Sequence, residues 1–196
     1  MRSLSPRYDA AIAAIDVANA ADPTLVDVRG QRVALALVHG RLATEWIEQL
    51  VDSPHETLLL AGRAHHLRRW ELPRDSYPLG RAGYLRWRRD QKARHATDVA
   101  AILQSCGYET SEIEDVQRLI RREPIDGAQA VEDAACLVFI ETQLASVAER
   151  MDHVLLVEVI RKTARKMSDR GLALVAAIPL SDAEKSLLNE AFGGSA

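Results

Sequence analysis

Apolar residues recur along most of the chain at steps of three and four, the spacing of an amphipathic helix rather than of a strand. Prolines and capping residues punctuate that pattern. Ser5 and Pro6 open a first helix that runs to about Ala21, before the break at Asp22 and Pro23. The turn-rich "PTLVDVRG" leads into a second helix from about Gln31 to Val51. Ser53, Pro54 and Glu56 predict a capping box with proline at the first helical position, and a third helix from there to about Trp70. Pro73 and Pro78 mark an irregular connection, followed by a long helix from about Gly80 to Ser105 that stops near Gly107. Ser111 with Glu114 starts a short helix ending before Pro124. One more helix begins at about Ala128, and "DHVLLVEVIRKTARKMSDRG" reads as another, closed by Gly171. Pro179 breaks the chain, and Ser181 with Glu184 caps a last helix. No strand pattern and no repeat stands out. The expectation is one all-α domain of seven to eight helices: an N-terminal helix and linker over 1–30, a core over 31–171 and a C-terminal helix over 172–196.

With 196 residues, 47% of them hydrophobic, the chain can bury a core without disulfides or metal staples. No apolar run approaches the roughly 20 residues that cross a bilayer. Asp9 and Asp16 interrupt the N-terminal apolar stretch, which argues against a secretory leader. Cys106 and Cys136 read as reduced core thiols, and with them a cytoplasmic location is expected. The net charge of −3 hides an asymmetry. Between Arg63 and His95 stand ten Lys and Arg residues against Glu71, Asp75 and Asp90, so this segment carries +7 and the remainder −10. A global footprint for duplex DNA is absent, while the local positive surface suits a phosphate, a carboxylate or a short RNA.

Titratable groups on apolar helix faces carry the chemical signal, because burying them unpaired costs several kcal/mol. His95 shares a stripe with Val99, Ile102 and Cys106, and Asp133 one with Cys136, Leu137, Ile140 and Leu144. His39 sits with Leu35, Leu42 and Trp46, His66 with Leu59 and Trp70, and His65 with Leu58 and Ala61. One such histidine is ordinarily a hydrogen-bonded core residue, and a buried Asp133 is simply explained by an arginine such as Arg63 or Arg88. Several together could satisfy one another through a shared cation. The expected ligands are His66, His95 and Asp133, with His39 and His65 as further candidates; Glu132 and Glu141 flank the Asp133 stripe as candidate catalytic or supporting carboxylates. Imidazole-rich coordination suits zinc, iron, manganese or nickel. His55 and His153 fall at helix starts and read as solvated.

The basic connection supplies the second half. In "RRWELPRDSYPLGRAGYLRWRR", Arg69, Arg74, Arg81 and Arg88 offer bidentate forks, and Tyr77, Tyr84, Trp70 and Trp87 offer stacking surfaces. Starting just after His66 and leading to His95, the segment is expected to lie over the histidines and clamp an anionic small molecule. The same mixture of arginines and aromatics could stack on single-stranded RNA.

Two resemblances bear on this. The blocks "HLRRWELPRDSYPLGRAGYLRWR", "RHA", "VEDAACLVFIETQ" and "RKTARKMS", spread from about Ala64 to Met167, resemble an uncharacterised all-helical family of bacteria and fungi. Some of its members carry the label glutamyl-tRNA synthetase-like. Family members have glutamine at the position of His65, so His66 is the better carry-over. Lys166-Met167-Ser168 matches the second signature of class I synthetases, yet the chain lacks the strands and the length of their nucleotide-binding sheet. The triplet reads as a solvated helix face. The order of His39, His65-His66, His95 and Asp133 also resembles the HD superfamily of metal-dependent phosphohydrolases, which implies an HD-domain-like fold. The departure lies at the His-Asp doublet, where this chain has His65-His66 or His66-Leu67, so a mononuclear site is easier to build than a dinuclear one. The resemblance implies hydrolysis of a phosphorylated small molecule or nucleotide. An iron-dependent, di-iron oxygenase on the same scaffold and a non-enzymatic RNA- or protein-binding module are the alternatives.

Overall fold

The computed structural model describes residues 5–193. Helix α1 (Pro6–Ala20) begins where serine and proline predict, with the Tyr8 N–H donating to the Ser5 hydroxyl at 3.3 Å. Before α2 (Leu35–Leu50) the chain departs from expectation and forms a hairpin, β1 (Leu25–Val28) antiparallel to β2 (Gln31–Ala34), with Leu25 opposite Ala34 and Val28 opposite Gln31. Arg29 and Gly30 at its tip both have positive φ (51° and 77°), the twist that two-residue hairpins need. Strands of four residues are too short to register as a period, and an arginine at the tip conceals the turn. Buried Asp22 pins the hairpin's return, accepting from the Thr24 and Ala36 N–H groups at 2.9 and 3.0 Å.

Helix α3 (Glu56–Ala64) is capped not by Ser53 but by His55, whose Nδ1 accepts from the Leu58 N–H. It ends six residues before Trp70, so His65 and His66 leave the helix on turns, and Arg68 takes a left-handed conformation (φ 51°) at the exit. Short 3-10 turns at Arg69–Glu71 and Arg74–Ser76 carry the connection into α4 (Gly80–Ser105). Helix α5 (Thr110–Arg121) starts with a capping box of Glu109 and Glu112 in place of Ser111 and Glu114, and α6 (Ala128–Ala148) follows. The stretch read as one helix up to Gly171 is two, α7 (His153–Ala164) and α8 (Asp169–Leu174), because Ser168 caps a new start. The box of Ser181 and Glu184 precedes α9 (Asp182–Gly193) as expected.

The chain is thus a predominantly all-α single domain, with nine α-helices among the described residues. Helix α2 packs on α6 and α3, α4 on α5, and α7 on α9, around one continuous apolar core. A bidentate pair from Arg63 to Asp16, 2.6 Å at both nitrogens, ties α3 to α1. Gly83 permits the first turn of α4 to lie on the Pro78 carbonyl, whose oxygen would sit 1.9 Å from a Cβ at that position. Among the described residues, no helix is long and apolar enough to cross a membrane.

Candidate functional site

Four imidazoles meet where α2, the exit of α3 and α4 converge. The ring centroids of His65 and His66 are 4.0 Å apart, His39 and His66 5.2 Å, and His66 and His95 6.1 Å. The hydrogen bonds assign their tautomers. The Thr142 hydroxyl donates to the Val138 carbonyl at 2.7 Å, so its oxygen accepts from His39 Nε2–H at 3.0 Å. His39 Nδ1 is then a bare lone pair, and His66 Nδ1–H donates to it at 2.9 Å. His65 Nδ1–H donates to the Gly62 carbonyl, and His95 Nδ1–H to the Leu67 carbonyl, each at 2.7 Å. His65, His66 and His95 therefore all hold their proton on Nδ1 and carry a lone pair on Nε2. For His65 and His95 that Nε2 is buried with no hydrogen-bond partner. Burial, with Arg69 nearby, pulls His39 down to about 3, and burial does the same to His95. His65 and His66 are likewise pushed well below 6.5 by burial, so all four are neutral at pH 7.

What aims His95 is a stripe on α4. Trp87, Gln91 and His95, four residues apart, point at the strap leaving α3 and take its carbonyls: Trp87 Nε1–H and Gln91 Nε2 reach Leu72, Gln91 also reaches Arg69, and His95 reaches Leu67. The strap is thereby stapled along its length, and Gln91 Oε1 is left buried and unpartnered beside the imidazoles.

His65, His66, His95 and Gln91 line a chamber of about 250 Å³, with His39 behind His66 and outside it. The rest of its wall combines apolar residues such as Ile120 and Phe139 with five cations, Arg69, Arg88, Lys92, Arg122 and Lys166, and Glu132. Arg122 donates to Glu132 at 3.0 Å, whereas Arg69 stacks on Trp87 and Arg88 faces Tyr84. Burial lowers Arg69 to about 10. Burial, with Arg122 alongside, lowers Lys92 to about 8. Cys136 also lines the chamber, but burial pushes its thiol up to about 12 and keeps it protonated.

Several expected residues lie elsewhere. Asp133 is fully buried, yet it meets neither an imidazole nor an arginine: its carboxylate accepts from the Ser168 N–H at 2.9 Å, the Ser168 hydroxyl at 2.5 Å and Gln129 Nε2 at 2.8 Å. It fastens the start of α8 to α6, because the apolar stripe it shares faces α8 at that height. Glu141 is engaged by Arg29 and the Trp46 indole, at 2.8 and 3.0 Å, and does not line the chamber. Arg74 uses its fork on the carbonyls of Tyr77 and Pro78, Tyr77 donates to Asp90, and Arg81 is exposed away from the chamber. Of the expected anion binders, Arg69, Arg88 and Tyr84 are on its wall. Sequence reasoning missed Thr142, Gln91, Lys92, Arg122 and Lys166. The step of four from Trp87 to His95 could have exposed Gln91. Arg122 reaches in because the chain turns left-handed there (φ 62°), which no periodicity signals.

The donor chemistry suits a transition metal, since imidazoles anchored through Nδ1 present Nε2 as a ligand. Ligands about 2.0–2.1 Å from one ion would put ring centroids roughly 5 Å apart. The observed 4.0 and 6.1 Å bracket that spacing without meeting it. As placed, no group of three or more His, Cys, Asp or Glu side chains among the described residues is arranged to hold an ion.

An all-α domain with a neutral histidine cluster under a cationic rim is the class this geometry defines. Residues 9–188 match the model of DUF4202, a domain of unknown function, and the chain belongs to that family. No curated protein and no solved structure matches the chain.

Proposed function

We propose that the chain is a metal-dependent hydrolase of HD-like architecture acting on a phosphorylated small molecule or nucleotide. The reading is carried by one observation: His65, His66 and His95 share a tautomer that turns three Nε2 lone pairs into potential ligands, two of them buried without any partner, beneath Arg69 and Arg88. His65, His66 and His95 would hold the ion, with His95 drawn toward His66 and His65 eased away from it, each by about an ångström, and His39 orients His66 rather than binding. Of the HD-like order, His65, His66 and His95 stay in the proposed ligand set, while His39 and Asp133 drop out of it. A bound divalent ion would polarise a phosphoryl oxygen and lower the pKa of a coordinated water to near neutrality. Arg69 and Arg88 bind and orient the phosphoryl oxygens by charge-assisted hydrogen bonds. Glu132 is positioned by Arg122 at the chamber wall to accept a proton from an attacking water.

Elemental analysis of untagged protein, paired with zinc and manganese titration of the apo chain, tests the reading. About one ion per chain, lost in His95→Ala and His66→Ala variants that keep their helical circular dichroism, is the expected result. No stoichiometric ion in the folded wild type would remove the hydrolase reading. Iron with oxygen-dependent turnover would replace it with the oxygenase.

A further inference from the structure

We infer that the substrate carries linked phosphates, one seated in the histidine chamber and the next along an open groove at its mouth; this rests on the chamber reading above. The groove, about 710 Å³, shares Arg88, Lys92, Arg122, Glu132 and Lys166 with the chamber, so the two spaces adjoin across these side chains. It adds Arg89 and Arg121, bringing six cations to its walls. Two carboxylates oppose them, Glu123 and Glu132, and both are already engaged: Glu132 with Arg122 at 3.0 Å, Glu123 with Arg118 at 3.5 Å. The remaining lining residues, among them Leu85, Pro124 and Gln129, bring no charge.

A mobile solubilising surface would splay such side chains into water, but Arg122 is only 15% exposed and Lys92 half-buried. Lys92 belongs to both spaces, and the contact shown for its amine is the Arg121 carbonyl at 3.3 Å. Like charges held this close, partly out of water, call for a counter-anion. One phosphate in the chamber leaves Arg89 and Arg121 facing the groove with only solvent-exposed pairs, to Asp90 at 3.0 Å and Glu123 at 3.8 Å, which a second phosphate can share. Arg88 and Lys92 face both spaces, so a phosphate held against them in the chamber points the next phosphate of a chain toward Arg89, Arg121 and Lys166.

Isothermal titration of the 196-residue chain with orthophosphate, tripolyphosphate and a nucleoside triphosphate tests this, against an Arg89→Gln/Arg121→Gln double variant. Both arginines are exposed and outside the chamber, so the variant should fold normally. Tripolyphosphate should bind at least about tenfold more tightly than orthophosphate, an advantage that shrinks with added salt. The double variant should lose most of that advantage and leave orthophosphate binding unchanged. A nucleoside triphosphate equal to tripolyphosphate assigns recognition to the phosphates alone; a tighter one adds a contact to the nucleoside. Equal binding of orthophosphate and tripolyphosphate, or an advantage that survives in the double variant, overturns the inference and leaves the chamber reading standing. Absence of orthophosphate binding overturns both. Single-stranded polyuridine that outcompetes tripolyphosphate would make the groove an RNA surface and also overturn it.

Discussion

Replacing Asp133 with alanine separates a structural carboxylate from a metal ligand. In the fold this carboxylate receives three donors, the Ser168 N–H, the Ser168 hydroxyl and Gln129 Nε2, and it is 1% exposed, so water cannot take its place. Hydrogen bonds to a charged acceptor contribute roughly 1.5–3 kcal/mol each, and donors left unpaired in the interior cost a further 1–3 kcal/mol. Gln129 retains the Lys166 carbonyl and the Ser168 hydroxyl can rotate, so only the loss at the Ser168 N–H counts in full, and the change should destabilise by about 3–5 kcal/mol. For a chain of this size that lowers the Tm by about 6–20 °C. The region around Ser168 should loosen first, since that serine both caps Gly171 and is held by Asp133. Urea titration followed by circular dichroism measures the loss, and zinc and orthophosphate titrations at low temperature measure the site. Stability should fall while both affinities stay within about twofold. A variant of unchanged stability that no longer binds zinc would refute the structural assignment and return Asp133 to the ligand set.

Acidification should act through the histidines. His39 and His95 are held at about 3 against an ordinary 6.5, so between those values the unfolded chain binds more protons than the fold. Their contribution is complete above pH 6.5 and is lost as pH falls. At pH 5 the loss is about 2 kcal/mol for each, with His65 and His66 adding in the same direction. Urea midpoints at pH 7 and pH 5 check this, and a flat profile would mean that the imidazoles are not buried as neutral groups. Thr142→Val removes the acceptor that fixes the His39 tautomer, and through it the His66 lone pair. Zinc affinity should fall about 10–100-fold, read by chelator competition, with a smaller cost in stability of about 1–2 kcal/mol. Gly83→Ala would drive a Cβ into the Pro78 carbonyl and should destabilise by about 2–3 kcal/mol, with faster proteolytic cleavage between Pro73 and Gly80. Unchanged proteolysis would show that the strap does not depend on that close approach.

The helices were legible wherever a local signal and the tertiary fold agree. Ser5 and Pro6 start α1, Gly107 stops α4, and Ser181 with Glu184 starts α9, because caps and left-handed stops act within one turn and need no partner. Where competing residues stood side by side, the sequence alone chose wrongly: His55 over Ser53, Glu109 over Ser111, and a new cap at Ser168 inside what reads as one helix. The hairpin at 25–34 was missed because its strands are too short to show a period. Inward-facing histidines could be read from helical spacing, and three of the four are indeed buried.

Composition and periodicity thus determined that this chain is helical and that one segment concentrates positive charge near histidines. They could not determine what meets what. Asp133 and His95 each lie on an apolar stripe, but a stripe specifies only that a side chain turns inward. Its partner depends on which helix crosses it and at what height: for Asp133 the serine at the start of α8, for His95 the carbonyl of Leu67. Likewise Arg122 enters the chamber and Arg74 does not, because the chain's path decides whose fork is consumed by nearby carbonyls. Contacts between residues distant in sequence are set by packing of the whole core, and only the assembled structure fixes them.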